Sequence, residues 1–199
     1  MNRVHVVLSL LLLAGTGPLA AQSLLPVPVS VEVRAGVGIP TGEFSEDDPG
    51  VGAEGGPAFG ALLAVHVTSR LALVGGYSQA RFDCPRCAQR GLEGTVVDQG
   101  GDFALQVTPA RIGGLAPWIR AGGLLHQLTF TGTDGELSSD PALGLQVGGG
   151  VGLALPGALR LTPGVHYRTY AAELDLGELG NESVRVSHVL LDVGLSYRF

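Results

Sequence analysis

Both cysteines of the chain, Cys84 and Cys87, lie in the stretch RFDCPRCAQRG with two residues between them. That spacing suits three chemistries: a redox dithiol, half of a zinc site, or a covalent staple in a loop. A thioredoxin-type dithiol needs a strand feeding a helix whose N-terminus lowers one thiol's pKa, and no helical periodicity surrounds this pair. A structural zinc site needs four ligands, and the chain has only two cysteines. The leading expectation is a Cys84–Cys87 disulfide, whose small ring contributes about 2 kcal/mol before strain. Free or metal-binding thiols stay open as the alternative.

The remaining reactive residue types are dispersed. His66, His126, His166 and His188 are not at ligand spacing. Glu46, Asp47 and Asp48 are contiguous and lack the alternating ligands of a calcium loop. Ser187 and His188 are neighbours, so on a strand they point to opposite faces and cannot share a direct hydrogen bond. No catalytic residue, metal site or cofactor is expected.

The elements that must position these residues are strands. Residues 1–21 first leave the account as an export signal. Arg3 supplies a short basic region, Val4 to Ala14 an apolar core too short to span a membrane, and GPLAAQS the small residues of a cleavage site after Ala21. No cysteine adjoins the cut, so a lipoprotein is not expected. Residues 22–199 then form one domain. They contain no apolar run long enough for a transmembrane helix. Yet hydrophobic residues make up 45% of the chain and charged ones only 15%, which is apolar for an exported soluble domain. There is no lysine, and the net charge of −6 offers nothing to nucleic acid.

Apolar and polar residues alternate with period two and nowhere with period 3.6. In LGLQVGGGVGLAL, Leu143, Leu145, Val147, Val151, Leu153 and Leu155 share one face, and Gln146 lies on the other among glycines and Ala154. The rule predicts eight strands, with a blurred phase and room for a bulge across 71–82, 100–108 and 116–131. Short connectors fall near Thr68–Arg70, Pro109–Ala116 and Pro156–Ala158. Long ones fall at 40–55, 83–99, 132–141 and 173–184, and most of the 18 acids lie in them, including Asp83, Asp98, Glu136, Glu173, Asp175 and Glu182. Short turns at one end and long loops at the other are the asymmetry of a transmembrane barrel. Phe59, Phe82, Phe103, Phe130 and Tyr170 fall near the outer strand ends, and Trp118, Tyr197 and Phe199 near the periplasmic ends, as two interfacial girdles. A soluble barrel or sandwich is the competing architecture, but its aromatics would fill a core.

The terminal stretch HVLLDVGLSYRF resembles the assembly signal of bacterial outer-membrane barrels, with Phe199, Tyr197, Leu195 and Val193 at alternate positions. With the export signal and eight strands, the chain is similar to the small OmpA/OmpX/OmpW-type barrels. The resemblance implies an all-β, eight-stranded antiparallel up-and-down barrel in the outer membrane of a Gram-negative-type bacterium. It implies contact with outer-membrane lipids and lipopolysaccharide, and with the barrel-assembly machinery during biogenesis. Loose Ca²⁺ or Mg²⁺ bridging from the acidic loops to lipopolysaccharide phosphates fits the same setting. No peptidoglycan-binding domain follows Phe199, so cell-wall anchoring is not implied. The stretch VHYRTYAAEL faintly resembles the motif of lipid A deacylases, but Arg168 occupies the serine position, which argues against an enzyme.

Eight strands enclose an interior that side chains can fill. Alternation assigns Glu32, Arg34, His66, Asp102, Gln106, Gln146, Arg160, His166, Arg168 and Asp192 to it, with Arg120 and His126 less firmly placed. An arginine facing mid-membrane lipid costs roughly 2–4 kcal/mol. Inside, these charges must pair. The expected function is non-catalytic: a monomeric structural or surface-interaction barrel working through its outer loops. The alternative is an OmpW-like transport barrel for a small or apolar ligand, an option the many inward glycines keep open by leaving free volume. Among the long loops only 83–99 has basic residues, Arg86 and Arg90, and it is the expected docking point for an anionic partner.

Overall fold

The computed structural model describes residues 27–44, 52–84, 94–132, 135–175 and 181–199. The export segment 1–21, the Glu46–Asp48 run, Arg86, Cys87 and Arg90 lie outside the described residues.

Period-two alternation appears as β1 (Val29–Pro40), β2 (Gly56–His66), β3 (Leu71–Asp83), β4 (Thr95–Val107), β5 (Leu115–Gly132), β6 (Gly135–Ser138), β7 (Ala142–Ala154), β8 (Leu159–Asp175) and β9 (Asn181–Arg198). Each strand pairs antiparallel with its neighbours, and β1 with β9 closes the ring, from Ser30 against Arg198 to Pro40 against His188. β6 is not a ninth stave. β5 pairs with β7 up to His126–Ala142 and resumes with β6 at Thr129–Ser138. Ser139 to Pro141 therefore bulge opposite Gln127 and Leu128. The bulge is satisfied locally: Ser139 N–H donates to Leu128 O at 2.8 Å, and Leu128 N–H donates to Ser139 Oγ at 3.0 Å. The result is a closed eight-stranded antiparallel barrel.

Where the sequence left room for a bulge in the third to fifth strands, the β3–β4 and β4–β5 ladders run unbroken, Leu71–Val107 to Asp83–Thr95 and Thr95–Thr131 to Val107–Ile119, and the interruption lies on the other side of β5, opposite Gln127 and Leu128. The blurred phase has another cause. Gly75–Gly76, Gly100–Gly101 and Gly122–Gly123 give neither face a side chain, so alternation fades while pairing continues.

The outside of the barrel is apolar. Leu143 and Leu145 are 73% and 69% exposed, in company with Val33, Leu63, Leu73, Phe103, Ile119, Val165 and Leu191. A soluble protein does not leave a continuous band of this kind in water; lipid covers it. Val193, Leu195, Tyr197 and Phe199, the proposed assembly signal, all lie on this outer face.

Two expectations need correction. Strands extend beyond the predicted limits, so Asp83, Asp98, Glu136, Glu173, Asp175 and Glu182 belong to strands and not to loops. The long hairpins continue their hydrogen-bonded ladders past the lipid, as β8 and β9 do up to Asp175–Asn181. The aromatic girdles are also only partial. Phe59, Phe103, Tyr197 and Phe199 face outward, but Phe82, Trp118, Phe130 and Tyr170 are buried inside. Strand phase decides which side a ring occupies before its height along the strand can matter.

Candidate functional site in the barrel interior

Inward positions of successive strands stack as layers from the short-turn, periplasmic end to the long-loop, outer end. At the mouth, His66 Nε2 lies 3.0 Å from Ser30 Oγ, and Arg160 and Arg198 line an open cavity of about 60 Å³. Above it, Trp118 stacks on His166 with ring centroids 5.4 Å apart. The guanidinium carbons of Arg34 and Arg120 stand 5.6 and 5.1 Å from the indole, within cation–π range. Inward glycines make room for these rings. A Cβ at Gly164 would lie 2.7 Å from Trp118 Cζ2, and one at Gly148 would collide with the His166 ring. Gly148 and Gly164 thus serve as seats for these rings.

The charges at this level form one network. Arg34 Nε meets Glu32 Oε1 at 2.8 Å, and Arg34 Nη2 meets Asp192 Oδ1 at 3.1 Å. Arg34 Nη1 lies 2.6 Å from His166 Nε2; since arginine only donates, that nitrogen accepts. Arg120 donates to Gln106 Oε1 from Nη2 at 2.7 Å and reaches Glu32 Oε1 at 3.9 Å. One layer higher, Arg168 donates to Asp102 Oδ2 at 3.1 Å and to Ser78 Oγ at 2.7 Å. Gln146 stays apart from these ions and donates to the Gly123 carbonyl at 2.9 Å.

The next layer centres on Asp98. Its Oδ1 accepts from Tyr170 OH at 2.8 Å and lies 2.7 Å from His126 Nδ1, while His188 Nε2 approaches Oδ2 at 3.6 Å. His126 Nε2 lies 3.5 Å from Asp102 Oδ1 and so links the two ionic layers. Above this the interior becomes apolar. Phe82, Val96, Leu124, Leu128 and Val186 pack together with almost no exposure. Phe44, from the 3-10 turn Gly42–Phe44 after β1, seats on Phe82 edge to face at 5.2 Å.

The sequence-predicted interior set is largely brought together: Glu32, Arg34, Asp102, Gln106, His166, Arg168 and Asp192 belong to the connected layers, with Arg120 and His126. His66 and Arg160 stand apart at the mouth. Arg160 has no carboxylate within 4 Å among the described residues, contrary to the expectation that every inner charge pairs; its partly exposed position at the mouth lets water solvate it. Sequence reasoning missed Asp98, Ser78, Trp118 and the apolar cap. Asp98 and Ser78 share the inward phase of Asp102 on β4 and of Phe82 on β3, a signal present once strand limits are known. Among the described residues, no three His, Cys, Asp or Glu side chains are arranged to hold a metal ion. His188 faces the interior, whereas the Ser187 hydroxyl hydrogen-bonds with Thr169 across the β8–β9 pair at 2.9 Å.

A closed ring of eight antiparallel staves, apolar outside and ionic within, is the architecture of the small barrels of bacterial outer membranes. No protein-family model matches the chain, and no curated protein matches it in sequence. Solved structures do match. Neisserial surface protein A superposes at a TM-score of 0.61 with 14% identity, over 87% of this chain and 97% of that one. The outer membrane protein OprG of Pseudomonas aeruginosa gives 0.55 and 13%, over 85% and 95%. Ail, the attachment invasion locus protein of Yersinia pestis, solved in complex with the heparin analogue sucrose octasulfate, gives 0.53 and 13%, over 88% and 100%. At these identities the shared property is the fold.

Proposed function

We propose that this protein is a monomeric, non-catalytic integral outer-membrane barrel with a structural or surface-interaction role exerted through its outer loops. One observation carries the reading: the lumen is filled. Ionic layers occupy its middle, and the cap of Phe44, Phe82, Leu124, Leu128 and Val186 closes its outer end. Among the described residues, the interior cavities of about 30 and 60 Å³ have room for a few waters. A plugged barrel is a rigid stake, and what varies on such a stake is its loops. Its partners in this reading are outer-membrane lipids and lipopolysaccharide, with the barrel-assembly machinery acting on the terminal strand during biogenesis.

Planar-bilayer recording tests the proposal. The purified protein is expected to give no steady, saturable conductance. A stable channel abolished by filling the interior further would instead favour a transport barrel. Export and the loop staple belong to the same reading and share a second measurement, intact mass. The mature chain is expected to begin at Gln22, and to take up no alkylating reagent at Cys84 or Cys87 until a reductant is added. Retention of residues 1–21, or alkylation without reductant, refutes the corresponding part.

A further inference from the structure

The inner arginines are of two kinds. Arg34, Arg120 and Arg168 are matched by Glu32, Asp192 and Asp102. Arg160 on β8 and Arg198 on β9 have no carboxylate within 4 Å among the described residues. Nevertheless, both line the same cavity at the periplasmic mouth. Arg111, in the turn between β4 and β5, is close enough to add its field to theirs at Arg160 and His66. The connectors at this end, 67–70, 108–114 and 155–158, contain Arg70 and Arg111 and no acid. The cavity's single carboxylate, Glu32 at its floor, is already engaged by Arg34 at 2.8 Å.

A second, independent feature marks the cavity. Trp118 and Thr162 line it, each with about 95% of its surface buried, and neither the indole Nε1–H nor Thr162 Oγ1 has a hydrogen-bond partner among the described residues. A buried donor left unpaired is costly, so such groups normally meet a ligand or an ordered water. The indole N–H can only donate, so the partner it lacks is an acceptor. Two guanidinium groups add forked donors that match the oxygens of an oxyanion.

The geometry points to a small-anion site in the periplasmic mouth, built for a phosphate-type oxyanion held by Arg160 and Arg198, with the Trp118 and Thr162 side chains at its inner wall. The cavity has room for a compact oxyanion. The acidic outer end and the basic periplasmic end set the direction of access, because an anion is drawn in from the periplasmic side. Two sources offer the same chemistry there: free inorganic phosphate, and the phosphate headgroup of a phospholipid in the periplasmic leaflet.

Trp118 is the chain's only tryptophan, so it serves as a built-in reporter. The full protein in maltoside micelles, which contain no phosphate, is titrated with inorganic phosphate at constant ionic strength. The indole Nε1–H resonance and the fluorescence are followed. A saturable change is expected with phosphate and not with chloride. Arg160→Gln combined with Arg198→Gln is expected to weaken it about tenfold or more, as loss of charge-assisted hydrogen bonds requires. Arg70→Gln, on the exposed turn, is expected to leave it intact. Heat-modifiable migration on gels shows whether each variant is folded. If the double variant does not fold, the wild-type phosphate and chloride titrations alone decide. No saturable change, an equal change with chloride, or unaltered affinity in the folded double variant overturns the site. Repeating the titration in phosphatidylglycerol vesicles separates the sources. Suppression of the phosphate response there assigns the site to the headgroup, and persistence assigns it to the free anion.

Discussion

Asp98 has no exposed surface, and three side chains from three other strands converge on its carboxylate: Tyr170, His126 and His188. Removing one member of such a buried set leaves the others desolvated without a partner, which costs more than the interaction itself contributes. Asp98→Ala is therefore expected to lower stability by about 3–5 kcal/mol. Asp140→Asn, on the exposed outer side, is expected to change it by less than about 0.5 kcal/mol. Urea titration of the protein refolded in lipid vesicles, followed by Trp118 fluorescence, compares the two; equal midpoints would refute the central role of Asp98. Its place among loop acids in the sequence reading shows the limit of residue-level inference. Acids on either side of a strand boundary look alike until the boundary is known.

At the scale of the element, β7 tests the barrel most directly. Leu145 is 69% exposed and its neighbour Gln146 is 6% exposed, so one peptide step separates lipid from lumen. Leu145→Arg places a guanidinium in hydrocarbon and is expected to destabilise the folded barrel by roughly 2–4 kcal/mol. The same midpoint measurement reads the effect, and no loss of stability would mean that this face meets water. The β5 strand shows how the fold exceeds local pattern. Its Gly122–Gly123 step hides the phase, yet Leu124, His126 and Leu128 arrive inside and Leu125 outside because the ladder with β4 never slips. Across that ladder the Phe103 ring covers Gly123 so closely that a Cβ there would collide with it.

Among the described residues the barrel has opposite ends: an outer end that is apolar within and carries the exposed Glu54, Asp83, Asp140 and Glu173, and a periplasmic end that is open and carries Arg70, Arg111, Arg160 and Arg198. Its stability is that of a hydrogen-bonded ring whose eight staves close through the β1–β9 pair. The folded protein is accordingly expected to stay compact in sodium dodecyl sulfate until heated, migrating faster unboiled than boiled. Identical migration in both states, or recovery in the soluble fraction, would overturn the architecture.

What the sequence determined by itself is the barrel: period-two alternation, connector asymmetry and the terminal Val193, Leu195, Tyr197 and Phe199 pattern are local signals, and eight of them in series leave one way to close. The polar interior was legible for the same reason, since a charge on an alternating strand has only one face that is not lipid. The contents of the lumen were decided by tertiary structure. Whether Trp118 and Phe82 face lipid or interior, whether inward glycines are space or seats for rings, and which arginines find carboxylates all depend on register between strands far apart in sequence. Arg34 of β1 meets His166 of β8 over the intervening β9, and Arg168 of β8 reaches Ser78 of β3 across the barrel. Such pairings come from closing the ring, and no window of neighbouring residues contains them.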